Sequence, residues 1–192
     1  NMFYPGYQNA SYFHDETGFI TPTPYGDVAD CILSDCPLWL LQQYPVLVIG
    51  DQLQGGAEIQ DKLNQYVVSG GHLIITAGSL ENMPAGISGI TAGTGETTVK
   101  VNASVSYQNM ELRESSAFKI TDLLIAGEAK IIATCVNKPI VIEHQSGLGK
   151  VTVFASPFGL SPDPQDLPES SVDTALETPF PLLNHVNTIL GD

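Results

Sequence analysis

Apolar residues along this chain change their spacing from one segment to the next, and each spacing predicts an element. Residues 46–50, VLVIG, are apolar on both faces, the mark of a strand covered on two sides and therefore of a parallel sheet. Ile59, Leu63, Tyr66 and Val67 then fall on one helical stripe, and Gly70-Gly71 ends that helix through the left-handed conformation that glycine tolerates. Residues 72–77, HLIITA, make the next buried strand. Strand, helix and strand within about 32 residues predict a right-handed crossover.

The flanking segments carry other patterns. Residues 28–33, VADCIL, are a short apolar run read as a strand, and Ser34 or Asp35 can cap a helix that has Pro37 in its first turn and runs to about Gln43. From residue 81 the character changes: Gly86, Gly89, Gly93 and Gly95 lead to TTVKVNASVSY, an alternating strand with one wet face, and FKITDLLIAG follows. This stretch predicts an antiparallel elaboration on the sheet edge. KIIATCV, Asn137-Lys138-Pro139 and IVIEH form a hairpin, and GLGKVTVFAS returns the chain to a buried strand at 151–155. Residues 1–27 hold aromatics and prolines without an apolar period and form an irregular lead-in. Residues 157–178 are acidic, proline-rich and aperiodic, hence a surface loop. Leu182, Leu183, Val186, Ile189 and Leu190 share one side of a closing helix capped by Thr178. The organisation is a lead-in over 1–27 and one α/β domain over 28–192, in which 97–145 is a β-rich insertion and hairpin.

Charge narrows the partners. Seven Lys and Arg against 21 Asp and Glu leave a formal charge of −14, which repels nucleic acid and anionic membrane at long range. No nucleic-acid or membrane partner is expected, and no run approaches the roughly 20 apolar residues that cross a bilayer. The chain starts Asn1-Met2 without a basic and apolar leader, so it reads as an excerpt, and any signal peptide is removed or lies upstream. Cys31, Cys36 and Cys135 are too few for a disulfide framework and lack zinc spacing. Cys31 and Cys36 can join across a strand-to-helix turn in an oxidising compartment, or stay as buried thiols. Asn9-Ala10-Ser11 and Asn102-Ala103-Ser104 permit N-glycosylation at Asn9 and Asn102 in a secreted protein.

YPVLVIGD and LNQYVVSGGHLIITAG, followed much later by a hairpin and GLGKVTVFASP, resemble the class I glutamine amidotransferase-like fold. The resemblance is to its catalytically silent version, seen in β-galactosidase trimerisation domains and in large bacterial carbohydrate-related proteins. In that group a helix ending in two glycines precedes a buried strand, and a G-x-G-[KR]-[VT] hairpin strand closes the sheet. DETGFITPTPYGD resembles the segment that joins an upstream barrel to this module, and the likeness covers residues 13 to about 160. It implies an α/β, three-layer, flavodoxin-like, mostly parallel sheet with the antiparallel elaboration at its edge.

A working member needs a cysteine on the sharp turn after its central strand, with a histidine and a glutamate within hydrogen-bond reach. Here the turn reads Ala77-Gly78-Ser79-Leu80, so no catalytic residue is expected. Ser79 can stand in for the thiol in principle, but the second glycine of a G-x-S-x-G elbow is missing, which leaves Ser79 a capping or turn role. Glu143 and His144 are neighbours on a strand and point to opposite faces, so at most one can look into a site. Cys135 lies on a hairpin strand, with burial its expected lot. His14, His72 and His185 are scattered and read as structural. Asp163, Asp166 and Glu169 can gather oxygens around calcium, yet they lack the glycine turn of a calcium loop and read as solvated. No cofactor or metal is expected. Tyr4, Tyr7, Tyr12 and Phe13 can stack on sugars or pack against the domain.

A flavodoxin-like sheet has strand order 2-1-3-4-5. The runs at 28–33, 46–50, 72–77 and 151–155 serve as its second to fifth strands, and the central first strand is missing from the chain. Such a gap leaves backbone groups unpaired at about 1 to 3 kcal/mol each when buried. The strand lies upstream, or a second chain donates it by β-augmentation, or the sheet is laid out without it. The expected function is a non-catalytic structural, oligomerisation or interaction module of a larger, extracellular, bacterial protein, a glycosylated subunit of an assembly with protein partners. The alternatives are an amidotransferase-like or glycoside-related hydrolase using Ser79, and a carbohydrate-binding accessory domain.

Overall fold

Helix α1 (Leu38–Leu41), strand β1 (Val46–Ile49), helix α2 (Ala57–Val68) and strand β2 (His72–Thr76) come first among the described residues of the computed structural model. The structure describes residues 32–49, 53, 56–83, 85–100, 102–113 and 118–156. β1 and β2 pair in parallel, with Val46 opposite His72 and Ile49 opposite Ile75, so α2 is a crossover between neighbours. The stripe of Ile59, Leu63, Tyr66 and Val67 is buried, as its helical spacing demands. Glu58 in the first turn complements the helix dipole and pairs with Lys62 at 2.9 Å. Gly70, at φ 119°, ends the helix, and the Gly71 N–H returns to the Tyr66 carbonyl at 3.0 Å.

Beyond β2 come a 3₁₀ segment (Ala77–Asn82), a one-turn helix α3 (Ala85–Ser88), and strands β3 (Ile90–Val99), β4 (Ser104–Tyr107), β5 (Met110–Arg113), β6 (Phe118–Ile125), β7 (Lys130–Cys135), β8 (Lys138–Ser146) and β9 (Gly149–Phe154). Among the described residues seven strands form one sheet in the order β1-β2-β9-β8-β7-β4-β5, and β3 and β6 pair separately. The fold is mixed α/β and richer in strand than a flavodoxin-like reading allows.

The expectation of a mostly parallel sheet is corrected. Among the described residues only β1–β2 and β2–β9 are parallel, and the other four pairings of the sheet are antiparallel. Turn chemistry is the cause. Val136 and Asn137 both take positive φ, 47° and 62°, and Gly147 sits at 62°, so the chain reverses tightly on either side of β8. Tight reversal makes antiparallel neighbours, whereas parallel ones need a long crossover.

The elaboration is also more than an edge. TTVKVNASVSY is broken by a turn at Asn102 (φ 63°) into β3 and β4. β4 and β5 extend the sheet, but β3 and β6 leave it and pack on its face. There Val99, Phe118 and Ile120 join Ile74, Val141 and Phe154 in one buried cluster. On the opposite face Leu73, Ile75, Val151 and Val153 meet the apolar sides of α1, α2 and the 3₁₀ segment in a second cluster. Alternation along β2 divides its residues between the two.

β1 departs from its two-sided expectation. Leu47 and Ile49 pack on the α2 face, but Val46 and Val48 are 37% and 49% exposed. Among the described residues the sheet ends at β1. The strand expected beyond it, residues 1–31, the acidic loop and the closing helix lie outside the described residues.

Candidate functional site

Thr76 of β2 and Phe154 of β9 are register partners, so the two parallel strands end level with each other. The carboxyl end of such strands is where open α/β sheets take ligands. From Thr76 the chain enters the 3₁₀ segment, whose Ala77, Ser79 and Leu80 are buried. The Ser79 side chain is sealed, at 0% exposure, and Ala155 and Ser156 close the end of β9 at 0% and 2%. A nucleophile must be reached by its substrate. This turn carries a serine beneath the surface and no thiol.

Glu143 and His144 occupy opposite faces of β8. Glu143 accepts from Lys150 Nζ at 2.9 Å, with both side chains less than one-fifth exposed. His144 turns to the other face, where Nδ1 lies 3.0 Å from the Glu128 carbonyl oxygen. Gly89 crosses so near that ring that a Cβ on it would stand 2.7 Å from Nδ1. Their register partners on β9 are Thr152 and Val151, two and three residues back from Phe154. At about 3.3 Å per residue, that places them roughly 7 and 10 Å along the strand from the turn. A carboxylate and an imidazole on opposite faces cannot serve one nucleophile.

The Glu143 face holds a second group of polar side chains. His72 is 7% exposed, and its Nε2 lies 2.8 Å from Thr152 Oγ1. Burial pushes the His72 pKa down to about 4, the Lys150 charge pushes the same way, and Glu143 opposes them. The imidazole is therefore neutral at pH 7. Beneath it the Tyr66 hydroxyl donates to the Tyr44 carbonyl at 3.0 Å and lies 3.3 Å from the His72 carbonyl. Burial raises the Tyr66 phenol to about 12. Sequence reasoning placed His72 as structural but missed Thr152 and Lys150. The one signal was their alternation in GKVTV, which puts both on the face of β9 that His72 shares.

The remaining candidates are spread out. Cys36 is a buried free thiol, and Cys31 lies outside the described residues. Cys135 is 1% exposed within the β3–β6 side cluster. Asn102 is exposed in its turn, where its carbonyl accepts from Arg113 Nη1 at 3.2 Å. Asn9, His14, His185, Asp163, Asp166, Glu169 and the aromatics Tyr4, Tyr7, Tyr12 and Phe13 lie outside the described residues. Among the described residues no three His, Cys, Asp or Glu side chains gather to hold a metal. No described helix is long and apolar enough to cross a membrane.

No family model and no curated protein matches the sequence. Solved structures do. The mmIFT52 N-terminal domain matches at TM-score 0.52 and 18% identity, over 81% of each chain. The cytoplasmic protein STM1381 from Salmonella typhimurium LT2 matches at TM-score 0.51 and 18% identity, over 75% of this chain and 74% of that one. Gan42B, a GH42 β-galactosidase from G. stearothermophilus, matches at TM-score 0.50 and 14% identity. That match takes 79% of this chain but 22% of the β-galactosidase. At these identities the likeness is one of fold.

Proposed function

We propose that this chain is a non-catalytic structural and interaction module of a larger protein, built on the silent form of the class I amidotransferase-like fold. One observation carries the reading: Ser79 is sealed in its turn while Glu143 and His144 are committed on opposite faces. Acyl transfer needs a nucleophile, a base and an orienter within hydrogen-bond reach of one another. Restoring a thiol at the turn leaves the other two where they are.

The match to a fraction of Gan42B supports a role as one module among several. The same reading makes the parent bacterial and extracellular, with a glycan at exposed Asn102 and with other proteins or further copies of itself as partners. The high acidic charge suits a secreted, soluble surface.

The test is chemical. Broad serine- and cysteine-reactive probes leave Ser79 unlabelled in the folded protein, and Ser79→Cys gains no glutaminase activity. Selective labelling of Ser79, or glutaminase turnover by Ser79→Cys, would sink the reading.

A further inference from the structure

The ribbon of β3 and β6 connects the two faces of the sheet. Ile90, at the start of β3, belongs to the cluster on the α2 face, whereas Val99, at its other end, belongs to the cluster on the opposite face. The ribbon therefore passes from one face to the other. Leu123 of β6 packs against both clusters, and close by the Thr121 N–H donates to the Ala155 carbonyl at 2.7 Å. Ala155 follows directly on β9, so the crossing lies over the carboxyl end of that strand. At the same end Thr76 of β2 leads into the turn of Ser79, and β3 lies against that turn.

The local sequence permits the bend. Ala92 pairs with Leu123 and Glu96 with Thr121, so residues 93–95 of β3 together oppose Asp122. Extra residues on one strand of a pair bend that strand and sharpen its twist. Glycine is required on both sides of Thr94. A Cβ on Gly93 would stand 3.0 Å from the Asp122 carbonyl oxygen, and one on Gly95 would strike the Asp122 carboxylate. That carboxylate accepts from Lys138 Nζ at the start of β8, which fastens the ribbon to the main sheet close to the crossing. Both side chains are partly exposed, so the pair is a weak clasp, and the apolar contacts of Ile120 and Leu123 supply most of the hold.

We infer that the β3–β6 ribbon is a strap: it covers, with the chain's own residues, the carboxyl end at which an open α/β sheet takes a ligand, and it lifts from the Ser79 turn while the rest of the sheet stays folded. The inference goes beyond the reading of a non-catalytic module and is independent of it, because lifting the strap leaves Glu143 and His144 on opposite faces of β8.

Alkylation of Ser79→Cys by iodoacetamide in the full 192-residue chain tests it, with each cysteine read separately by peptide mass. The thiol at position 79 reacts through strap opening, so its rate changes little with urea well below the unfolding midpoint. Lys138→Met speeds the reaction about two- to fivefold. Leu123→Ala, which removes the side chain that both clusters share, speeds it about tenfold or more. Tyr66→Phe loosens α2 from β2 and leaves the ribbon contacts in place, so it lowers global stability without changing the rate. If the three variants speed labelling in proportion to their loss of stability, position 79 is reached by global unfolding and the inference is overturned. An unchanged rate in Leu123→Ala overturns it as well. Where Ser79→Cys does not fold, amide exchange across residues 77–82, in the unmodified protein and in the same three variants, makes the same comparison with the same outcomes.

Discussion

His72 Nε2 and Thr152 Oγ1 meet at 2.8 Å between adjacent parallel strands, both side chains buried. The ring is held neutral there, with its pKa at about 4 against an ordinary 6.5. The unfolded chain takes up a proton near pH 6.5 and the folded one does not until about pH 4. The contribution is therefore complete above pH 6.5 and is lost as pH falls from 6.5 through 4, by up to roughly 3 kcal/mol. Denaturation midpoints of the unmodified protein and of His72→Gln, compared across this window, give the value; parallel profiles would refute it.

Glu143 and Lys150 stabilise each other beside that ring. Glu143→Gln leaves a mostly buried ammonium without its counter-charge, at about 2 kcal/mol. It also removes the one charge that raises the His72 pKa, so the imidazole titrates lower still. Its proton resonances against pH report the shift. Adding Lys150→Met recovers part of the lost stability if the two residues act as a pair.

Tyr66→Phe deletes a hydroxyl that reaches both the Tyr44 and the His72 carbonyls, which tie α2 to β2 and to the segment that leads into β1. The expected cost is about 1–2 kcal/mol, read from urea unfolding. The same hydroxyl resists ionisation until about pH 12, so spectrophotometric titration of the variant lacks the late contribution of Tyr66.

Gly149→Ala is the severe glycine change. A methyl there runs into the backbone carbonyl oxygens of Gly71 and Val67, which have no rotamer to escape into. A loss of about 3 kcal/mol or more is expected. Gly86→Ala meets nothing within 4 Å and is expected to be neutral or slightly stabilising. Thermal unfolding of the two variants side by side separates close approach from backbone freedom.

Much of the α2 unit was legible in the chain. A stripe at Ile59, Leu63, Tyr66 and Val67 can bury only one way, and the pattern HLII has nowhere to put a wet face. The opposed directions of Glu143 and His144 also followed from strand alternation alone. The layout of residues 90–125 did not follow. An alternating strand states that one side is covered, not by what, and β3 and β6 pair with each other because Ile120, Phe118 and Val99 find a second apolar surface on the sheet. The polar group on the sheet was equally hidden, because His72 and Thr152 stand 80 residues apart.

What the sequence determined by itself is local: periods of 3.6 and 2, stops at glycine, and the absence of a thiol on the turn after β2. Direction, adjacency and access were decided only by the tertiary structure. Whether a strand runs with or against its neighbour, whether Ser79 meets solvent, and which charges surround His72 all depend on residues brought together from distant parts of the chain. Burial and pairing are properties of contacts, and no single stretch of sequence contains both partners of a long-range contact.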